Sequence, residues 1–368
     1  MKKKNLCKTL LKTMCIVLGI LILALLAYIV YLYASYYRIE DNQELVVEAP
    51  VDDTTTGAAA VLATDTEYSA VTYNIGFGAY LPDYSFFMDG GTSSWAESPE
   101  TVQYAINGAG ELVKSLDPDF ALIQEIDLDA TRSYHTDEYQ MLRNILPEYT
   151  TVFAQNYDSA FLFYPFTQPH GSSLAGLGLF SKYPVSSALR RSFPISTSFS
   201  KFFDLDRCYS VSRIPVDNGK ELVIFNLHMS AYGNSDEIRK GQIEMLCNDM
   251  AKEYEAGNYV LCGGDFNHDL KASEEDTESC ESWAFPFPRT ELPEHFAFCL
   301  DLLSTEEQAA LWNSARNADM EYVPGVTYTV TLDGFIISDN IECLSYENVN
   351  TGYSYSDHDP VKVEFVLK

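Results

Sequence analysis

In the part of the chain that follows residue 68, short apolar runs alternate with longer amphipathic stretches. The runs are rich in β-branched and aromatic residues, which predicts strands; they are SAVTYNIG, DFALIQEID, LAGLGLFSKYPV, CYSVSRIPV, KELVIFNLHMS, YVLCGGDFN, TLDGFIIS and HDPVKVEFVL. The stretches TVQYAINGAGELVKSL and NSDEIRKGQIEMLCNDMAKEYEAGN repeat apolar residues every three or four positions, which predicts helices, the second capped by Ser235. This order predicts one α/β domain at residues 68–368, with sheets inside and helices outside.

The N-terminus has a different pattern. Residues 1–12 are a basic tail with five lysines, and residues 13–34 carry no charge. An uncharged segment of this length can cross a bilayer as one helix, and the preceding lysines favour a cytoplasmic N-terminus. A cleaved signal peptide is the alternative, but it would have a shorter apolar core and a small-residue cleavage site. We therefore predict a single-pass anchor in the cell membrane, with the domain outside the cytoplasm.

The amino-acid composition indicates a linker at residues 35–67 and an acidic domain after it. Residues 35–67 are small, acidic and threonine-rich, which predicts a stalk. The net charge is −29, and the six basic residues before residue 39 have no acidic counterpart, so the remaining 18 basic and 53 acidic residues carry −35. Such a domain repels nucleic acid in general, although it does not exclude a small phosphoester held through cations. Six of the eight cysteines follow the anchor without CxxC or zinc spacing, which favours buried thiols.

Polar residues stand at or beside the ends of the predicted strands. Taken singly, each is typical of a turn, a solvated strand end or a satisfied core histidine. Together they would be costly to bury without partners, and a set of carboxylate and amide oxygens suits Mg²⁺, Mn²⁺ or Ca²⁺. The set comprises Asn74, Glu125, His228, Asp265, Asn267, Asp333, Asp357 and His358.

The order of these motifs resembles the endonuclease/exonuclease/phosphatase superfamily, which has the deoxyribonuclease-I-like fold. The matching pieces are YNIG, LIQEID, NLHMS, GGDFN, LDGFIIS and SDHDPV, spread over residues 68–368, and LGLFSKYPV resembles a further strand of the family. The resemblance implies a four-layer α/β sandwich of two central mixed sheets flanked by helices, here preceded by one transmembrane helix, as in a membrane-anchored bacterial-type member.

The resemblance also implies roles for the polar residues. Glu125 would be the principal ligand of Mg²⁺ or Mn²⁺, with Asn74 and Asp357 near it. Asp265 would orient or deprotonate the attacking water, and Asn267 would hold a phosphate oxygen.

Three further residues would act on the scissile phosphate. His358, paired with Asp333, and His228 would contact it and assist proton transfer. One departure weakens this assignment: family members commonly carry an aromatic residue after the aspartate, whereas Gly334 stands here. By contrast, His268 and Asp269 are expected to belong to an ordinary turn.

The segment after Asn74 is long and aromatic. Its rings either line a substrate pocket or form a surface Ω-loop packed on itself; they are Tyr80, Tyr84, Phe86, Phe87 and Trp95. His170 is a candidate substrate contact in a later loop. Arg207 and Arg213 could each meet a phosphate, although an ion pair is the ordinary role of such residues, and we take Arg213 as the second candidate contact.

These observations predict an extracytoplasmic, metal-dependent phosphoesterase that hydrolyses a phosphodiester or phosphomonoester by in-line attack of an activated water. The substrate would be a phospholipid headgroup, a small phosphoester or, less favoured by charge, a nucleic acid. The alternatives are a non-specific nuclease, a catalytically inactive surface binding module of the same fold, and a stalked adhesin that binds glycans through the aromatic segment.

Overall fold

The computed structural model describes residues 2–52, 61–202, 204–231, 236–273 and 284–368. The chain forms two compact units, Met1–Arg38 and Ile39–Lys368. The first unit contains helix α1 (Lys2–Ser35), whose segment Leu6–Ser35 is long and apolar enough to cross a membrane, as a signal sequence near an N-terminus also can be. The predicted span of residues 13–34 lies within this helix.

The second unit contains the remaining elements. Its helices are α2 (Pro99–Leu116), α3 (Glu138–Ile145), α4 (Asp236–Glu255) and α5 (Thr305–Ala310). Its strands are β1 (Gln43–Glu44), β2 (Val47–Glu48), β3 (Glu67–Asn74), β4 (Phe120–Ala130), β5 (Thr150–Asp158), β6 (Ser173–Ser181), β7 (Ser187–Ser192), β8 (Cys208–Pro215), β9 (Glu221–His228), β10 (Tyr259–Asp265), β11 (Phe296–Phe298), β12 (Ala315–Arg316), β13 (Thr329–Val330), β14 (Asp333–Ser338), β15 (Ile341–Asn348) and β16 (Val361–Leu367).

Two mixed seven-stranded sheets form the centre of this unit. One has the order β1-β7-β8-β9-β10-β14-β11 and the other β15-β16-β3-β4-β6-β5-β2. The pairs β9–β10 and β3–β4 are parallel, and the other neighbours are antiparallel. A continuous core joins them, with Leu122 and Leu179 of one sheet in the same cluster as Phe225 and Leu261 of the other.

Helices cover the outer faces of both sheets, so the predicted α/β sandwich is confirmed. Helix α2 buries Val102 and Ile106 in a cluster with Ala121 and Ile123 of β4, which is the outer face of the second sheet. Helix α4 packs Leu246 into the core that contains the first sheet. The predicted N-cap of α4, Ser235, lies outside the described residues.

The structure differs from the predicted stalk of residues 35–67. The second unit already begins at Ile39, because β1 pairs with β7 and β2 pairs with β5. Leu45 packs against the core, and Leu62 is fully buried beside Val216. Apolar residues within an acidic, threonine-rich segment therefore join the edges of both sheets, which composition alone did not reveal.

The cysteines of the second unit are thiols wherever the structure describes them. Cys208, Cys247, Cys262 and Cys299 are buried, in agreement with the expectation, and Cys343 is partly exposed. Cys280 lies outside the described residues.

Candidate active site

Strand register brings three of the predicted residues together. Asp265 ends β10 and lies opposite His228, the last residue of the parallel strand β9. On its other side Asp265 pairs with Asp333, the first residue of the antiparallel strand β14. The two glycines before Asp265 permit this close approach: a Cβ on Gly264, whose φ is +147°, would lie 2.1 Å from the Leu227 carbonyl oxygen.

Asn74 connects this cluster with the second sheet. It ends β3, and its Nδ2 donates to Asp265 Oδ2 at 3.0 Å and to Glu125 Oε1 at 3.1 Å. Its Oδ1 accepts a hydrogen bond from the backbone N–H of Gly76 at 3.0 Å. The amide nitrogen, rather than the oxygen that a metal would bind, thus faces the carboxylates. In this structure Asn74 holds the two carboxylates in place, and its role as a metal ligand stays a prediction.

Glu125 sits at an irregularity of β4. The register of β4 against β6 shifts between Ile123 and Ile126, and Glu125 has a φ of +54°. A non-glycine residue in the left-handed region stores strain and is often found at functional sites. Burial raises the pKa of the Glu125 carboxyl, the nearby Asp357 raises it further, and Arg132 opposes this shift.

Glu125 and Asp357 fit a hard divalent cation. The pKa of Asp357 is also raised by burial, against the opposing effect of His358 and Arg316. Two carboxylates held close together in a partly buried place repel each other, and a cation between them would remove that repulsion. Their oxygen donors suit Mg²⁺ or Mn²⁺.

A second group of possible ligands is better described as a hydrogen-bonded set. Asp265, Asp333 and His358 place one ligand atom each within 4.8 Å of one another. However, His358 Nδ1 is already bonded to Asp333 Oδ2 at 2.7 Å, and Ser314 Oγ donates to the same oxygen at 2.7 Å. His358 Nε2 lies 3.9 Å from Asp265 Oδ2. The imidazole therefore links two carboxylates, with Asp333 fixing its orientation.

The charges in this set depend on one another. Burial disfavours the charged form of His358, but the neighbouring Asp333 and Asp265 outweigh it and raise the pKa of the imidazole well above its usual value. Burial, assisted by Asp333 and opposed by His358, raises the pKa of Asp265 to about 7. A carboxyl with this pKa can exchange a proton near neutral pH.

Gly334, the departure from the family pattern, leaves this pair intact. A Cβ at this position would lie 2.8 Å from Cδ1 of Leu270. Gly334 therefore makes room for the Leu270 side chain, and the Asp333–His358 hydrogen bond forms without the aromatic residue.

His228 and Asn267 complete the cluster around Asp265. His228 Nε2 lies 3.5 Å from Asp265 Oδ2 and 3.9 Å from Glu125 Oε1. Burial and the nearby Arg207 lower its pKa well below the usual value, so the ring is neutral at neutral pH. Asn267 has a φ of +50°; its N–H donates to Asp265 Oδ1 at 2.8 Å and its Nδ2 to the Met229 carbonyl at 2.9 Å.

The next two residues belong to the turn, as expected. His268 Nδ1 lies 2.6 Å from the Phe266 carbonyl oxygen, and Asp269 Oδ1 accepts the Lys271 N–H.

A cavity of about 840 Å³ opens in front of these residues. Glu125, His228, Asp265, Asn267, Asp357 and His358 line it. Some rings of the aromatic segment line the cavity, as the first of the two predicted arrangements has it, and others pack against neighbouring rings and loops. Tyr80, Phe86 and Phe87 line the cavity, whereas Tyr84 packs edge-on against Tyr80 and the Trp95 indole N–H bonds the Pro169 carbonyl at 2.6 Å.

The structure places only one of the two candidate substrate contacts, His170 and Arg213, at the cavity. His170 is buried and lines the cavity. Arg213 is not brought to it, because its guanidinium pairs with Glu221 at 2.8 Å and with Glu253 of α4. Sequence reasoning missed Arg132, Asp89 and Arg316, which also line the cavity. No local pattern marks them, since their neighbours in the cavity come from distant strands.

Two mixed sheets between helices, with Asn, Glu, Asp and His residues gathered at one edge, define the deoxyribonuclease-I-like class. The model of the Endonuclease/Exonuclease/phosphatase family matches residues 71–302, and the chain belongs to this family. The family consists of phosphoesterases and nucleases, which supports a hydrolase of phosphoester bonds, and its members typically depend on a metal. No match was found among curated proteins.

Solved structures share the fold at low sequence identity. An endonuclease/exonuclease/phosphatase from Beutenbergia cavernae DSM 12333 is 14% identical over 82% of this chain and 72% of that chain, with a TM-score of 0.55. The human Nocturnin catalytic domain with bound sulfate is 14% identical over 84% and 96%, with a TM-score of 0.53. ANGEL2, a 2′,3′-cyclic phosphatase in complex with adenosine-2′,3′-vanadate, is 12% identical over 82% and 96%, with a TM-score of 0.56.

Proposed function

We propose that the protein is a metal-dependent phosphoesterase that hydrolyses a phosphodiester or phosphomonoester by in-line attack of an activated water. The main observation in support of the proposal is that Glu125, Asp265 and His358 line one cavity although they are far apart in sequence. We further propose that α1 anchors the protein and that the second unit lies outside the cytoplasm.

Glu125 and Asp357 would hold the cation, which is Mg²⁺ or Mn²⁺ in this proposal. When bound, such a cation draws charge from the phosphoryl oxygens and thereby stabilises the transition state.

Asp265 would receive the proton of the attacking water. Its Oδ1 accepts the Asn267 N–H and its Oδ2 accepts the Asn74 amide, so the carboxylate is held in one orientation. Because burial raises its pKa to about 7, the Asp265 carboxylate is basic enough to accept a proton at neutral pH.

The charged imidazole of His358 would contact the phosphate. Asp333 binds its Nδ1 and stabilises the charged ring, which leaves Nε2 to donate toward the phosphate or the leaving oxygen. Asp333 is thus a positioning residue. Neutral His228 would donate or accept a hydrogen bond without adding charge, and Asn267 would hold a phosphate oxygen if its amide turned from the Met229 carbonyl.

The cavity and the charge favour a small substrate. A volume of about 840 Å³ lies within the range of small-molecule sites, which is roughly 300–1,000 Å³. The charge of −35 after residue 38 disfavours nucleic acid, because binding the phosphate backbone depends on Lys and Arg. A small phosphoester or a phospholipid headgroup therefore remains, and the nucleotide in the ANGEL2 complex makes nucleotide esters part of the test.

The test is hydrolysis of a panel of phosphomonoesters and phosphodiesters, including a short oligonucleotide, with Mg²⁺, with Mn²⁺ and with EDTA. We expect turnover of a small ester that requires the cation and falls at least about 10²-fold in Asp333→Asn. Asp339→Asn is the matched control, because Asp339 bonds His295 at 2.6 Å in an exposed pair away from the cavity.

Equal turnover in wild type and Asp333→Asn would remove this mechanism. Ligand binding without turnover of any ester would favour the inactive binding module, and glycan binding that survives EDTA would favour the adhesin. Preferred cleavage of the oligonucleotide would favour the nuclease.

A further inference from the structure

Among the described residues, three arginines line the cavity, and two of them are bonded to other protein groups. Arg132 forms a two-point ion pair with Asp127, at 2.8 and 3.0 Å, and its guanidinium lies 3.7 Å from the centre of the Phe77 ring. Arg316 donates to the carbonyl oxygens of Tyr80, Leu81 and Asn317. Both side chains therefore hold the cavity wall in shape.

Arg207, directly before β8, is the third. Its side chain is buried, with 7% of the residue exposed, and it borders the cavity beside Leu205 and His228. Among the described residues it forms no ion pair, and its Nε and Nη1 have no hydrogen-bond partner. Its charge is felt within the site, because it is the main charged group that lowers the pKa of His228.

A buried guanidinium without a counter-ion is unfavourable, since burial removes the water that stabilises its charge. Arg213, six residues later on β8, shows the ordinary arrangement, with Glu221 and Glu253 as counter-ions. The absence of such a partner at Arg207, at the wall of a cavity, indicates that the counter-ion comes from the ligand.

We propose that Arg207 is a second anion-binding residue of the cavity, besides His358, and holds non-bridging oxygens of the phosphate of a small phosphate ester. This assignment rests on the proposed function, and it deepens that function by giving the substrate phosphate a further protein cation that is independent of the metal. The planar guanidinium matches two phosphate oxygens at once, which an ammonium group cannot do. The organic part of the ester would then lie against the aromatic wall of Phe86, Phe87 and Tyr164.

The test measures binding and turnover separately on the detergent-solubilised full chain. Binding of inorganic phosphate is followed by calorimetry in the presence of Mg²⁺, and kcat and KM are measured with the best ester of the panel. We expect Arg207→Gln to weaken phosphate binding by about tenfold or more and to raise KM similarly, as loss of a charged hydrogen-bonding partner does. Arg213→Gln, the matched control six residues later on β8, should bind phosphate as the wild type does.

Two further variants keep the proposal open to contradiction if Arg207→Gln fails to fold. Arg207→Lys keeps the charge but loses the two-point contact, so we expect intermediate phosphate binding. Arg207→Gly should regain binding when methylguanidinium is added, which a purely structural arginine would not explain. Phosphate affinity equal to that of the wild type in a folded Gln or Lys variant would overturn the proposal.

The outcomes also separate this inference from the proposed function. Arg207-dependent phosphate binding without hydrolysis of any ester would remove the enzyme and leave the anion site. Normal hydrolysis that is unchanged in Arg207→Gln would keep the enzyme and remove the anion site.

Discussion

At the residue scale, three buried histidines of the cavity differ in charge because their neighbours differ. His358 contacts Asp333 and lies near Asp265, and these carboxylates raise its pKa despite burial. Burial lowers the pKa of His228 and of His170, and Arg207 near the first and Arg132 near the second lower it further. One charged and two neutral imidazoles therefore line one site, which gives it both a cation for the phosphate and rings that bind without charge.

The burial of His170 predicts how the folding stability of the protein depends on pH. Burial, with Arg132 nearby, lowers its pKa to about 3, whereas an unfolded histidine titrates near 6.5. Below about pH 6.5 the unfolded chain binds a proton at His170 that the folded chain does not, so stability is lost as the pH falls. At pH 4 this loss amounts to about 3 kcal/mol, and above pH 7 it vanishes.

Urea unfolding of wild type and His170→Asn at pH 7.5 and pH 4 checks this. The difference in unfolding free energy between the two proteins should shift by about 3 kcal/mol, against the wild type, on acidification. His135→Asn is the control, because His135 is exposed. The prediction is wrong if the difference between wild type and His170→Asn stays constant.

The sequence allowed the site residues beside strand ends to be predicted, but it did not show which arginine lines the cavity. Asp265 and Asp333 could be predicted because each directly adjoins an apolar run that had to be a buried strand. Arg207 and Arg213 look alike in sequence, and the choice of Arg213 as a substrate contact is not supported. What separates them is Glu253 on α4, a residue forty positions away that pairs with Arg213 in the folded chain. Such pairing is a property of tertiary packing.

At the element scale, strand register and one irregularity build the site. The pairing of β10 with β9 and β14 aligns the strand ends, and these long apolar strands could be recognised from sequence. The irregularity at Glu125 could not, because nothing in LIQEID marks a residue with φ of +54°. The two-residue strands β1 and β2 were also missed, because strands this short show no periodicity.

The edge strands β1 and β2 allow a prediction of how truncating the N-terminal part of the chain changes its stability. A chain that begins at residue 39 keeps both strands, whereas one that begins at residue 61 loses them together with buried Ile39 and the packed side chains Leu45 and Val47. Loss of this apolar burial should lower the free energy of unfolding by on the order of 3 kcal/mol. Urea unfolding of the two truncated chains gives the comparison, and equal midpoints would mean that residues 39–60 act as a stalk after all.

At the scale of the whole molecule, charge and hydrophobicity are separated along the chain. The basic and apolar N-terminus precedes a second unit whose acidic residues far outnumber its basic ones. Such a unit gains no attraction to anionic headgroups or to the nucleic acid backbone. Under the proposed function, its access to a phosphoester would therefore depend on the proposed cation site and on Arg207, and its association with a membrane would depend on α1.

This separation predicts how the protein partitions. Because Leu6–Ser35 is long enough to span the bilayer, the full chain should remain in the membrane pellet after an alkaline carbonate wash, and detergent should release it. The chain that begins at residue 39 should stay in the supernatant. Leu21→Arg combined with Leu25→Arg should weaken insertion, since each arginine near the centre of a span costs about 3 kcal/mol, whereas leucine to isoleucine at the same positions should not.

The proposed side of the membrane rests on the lysines of residues 1–12, which favour a cytoplasmic N-terminus. Protease added to intact cells should then degrade the second unit and leave a short N-terminal fragment in the membrane. A second unit that is degraded only after lysis would place it inside the cytoplasm. A mature chain whose first residue lies beyond Ser35, determined by mass spectrometry, would show that α1 is a cleaved signal peptide, because an uncleaved anchor must retain its lysines.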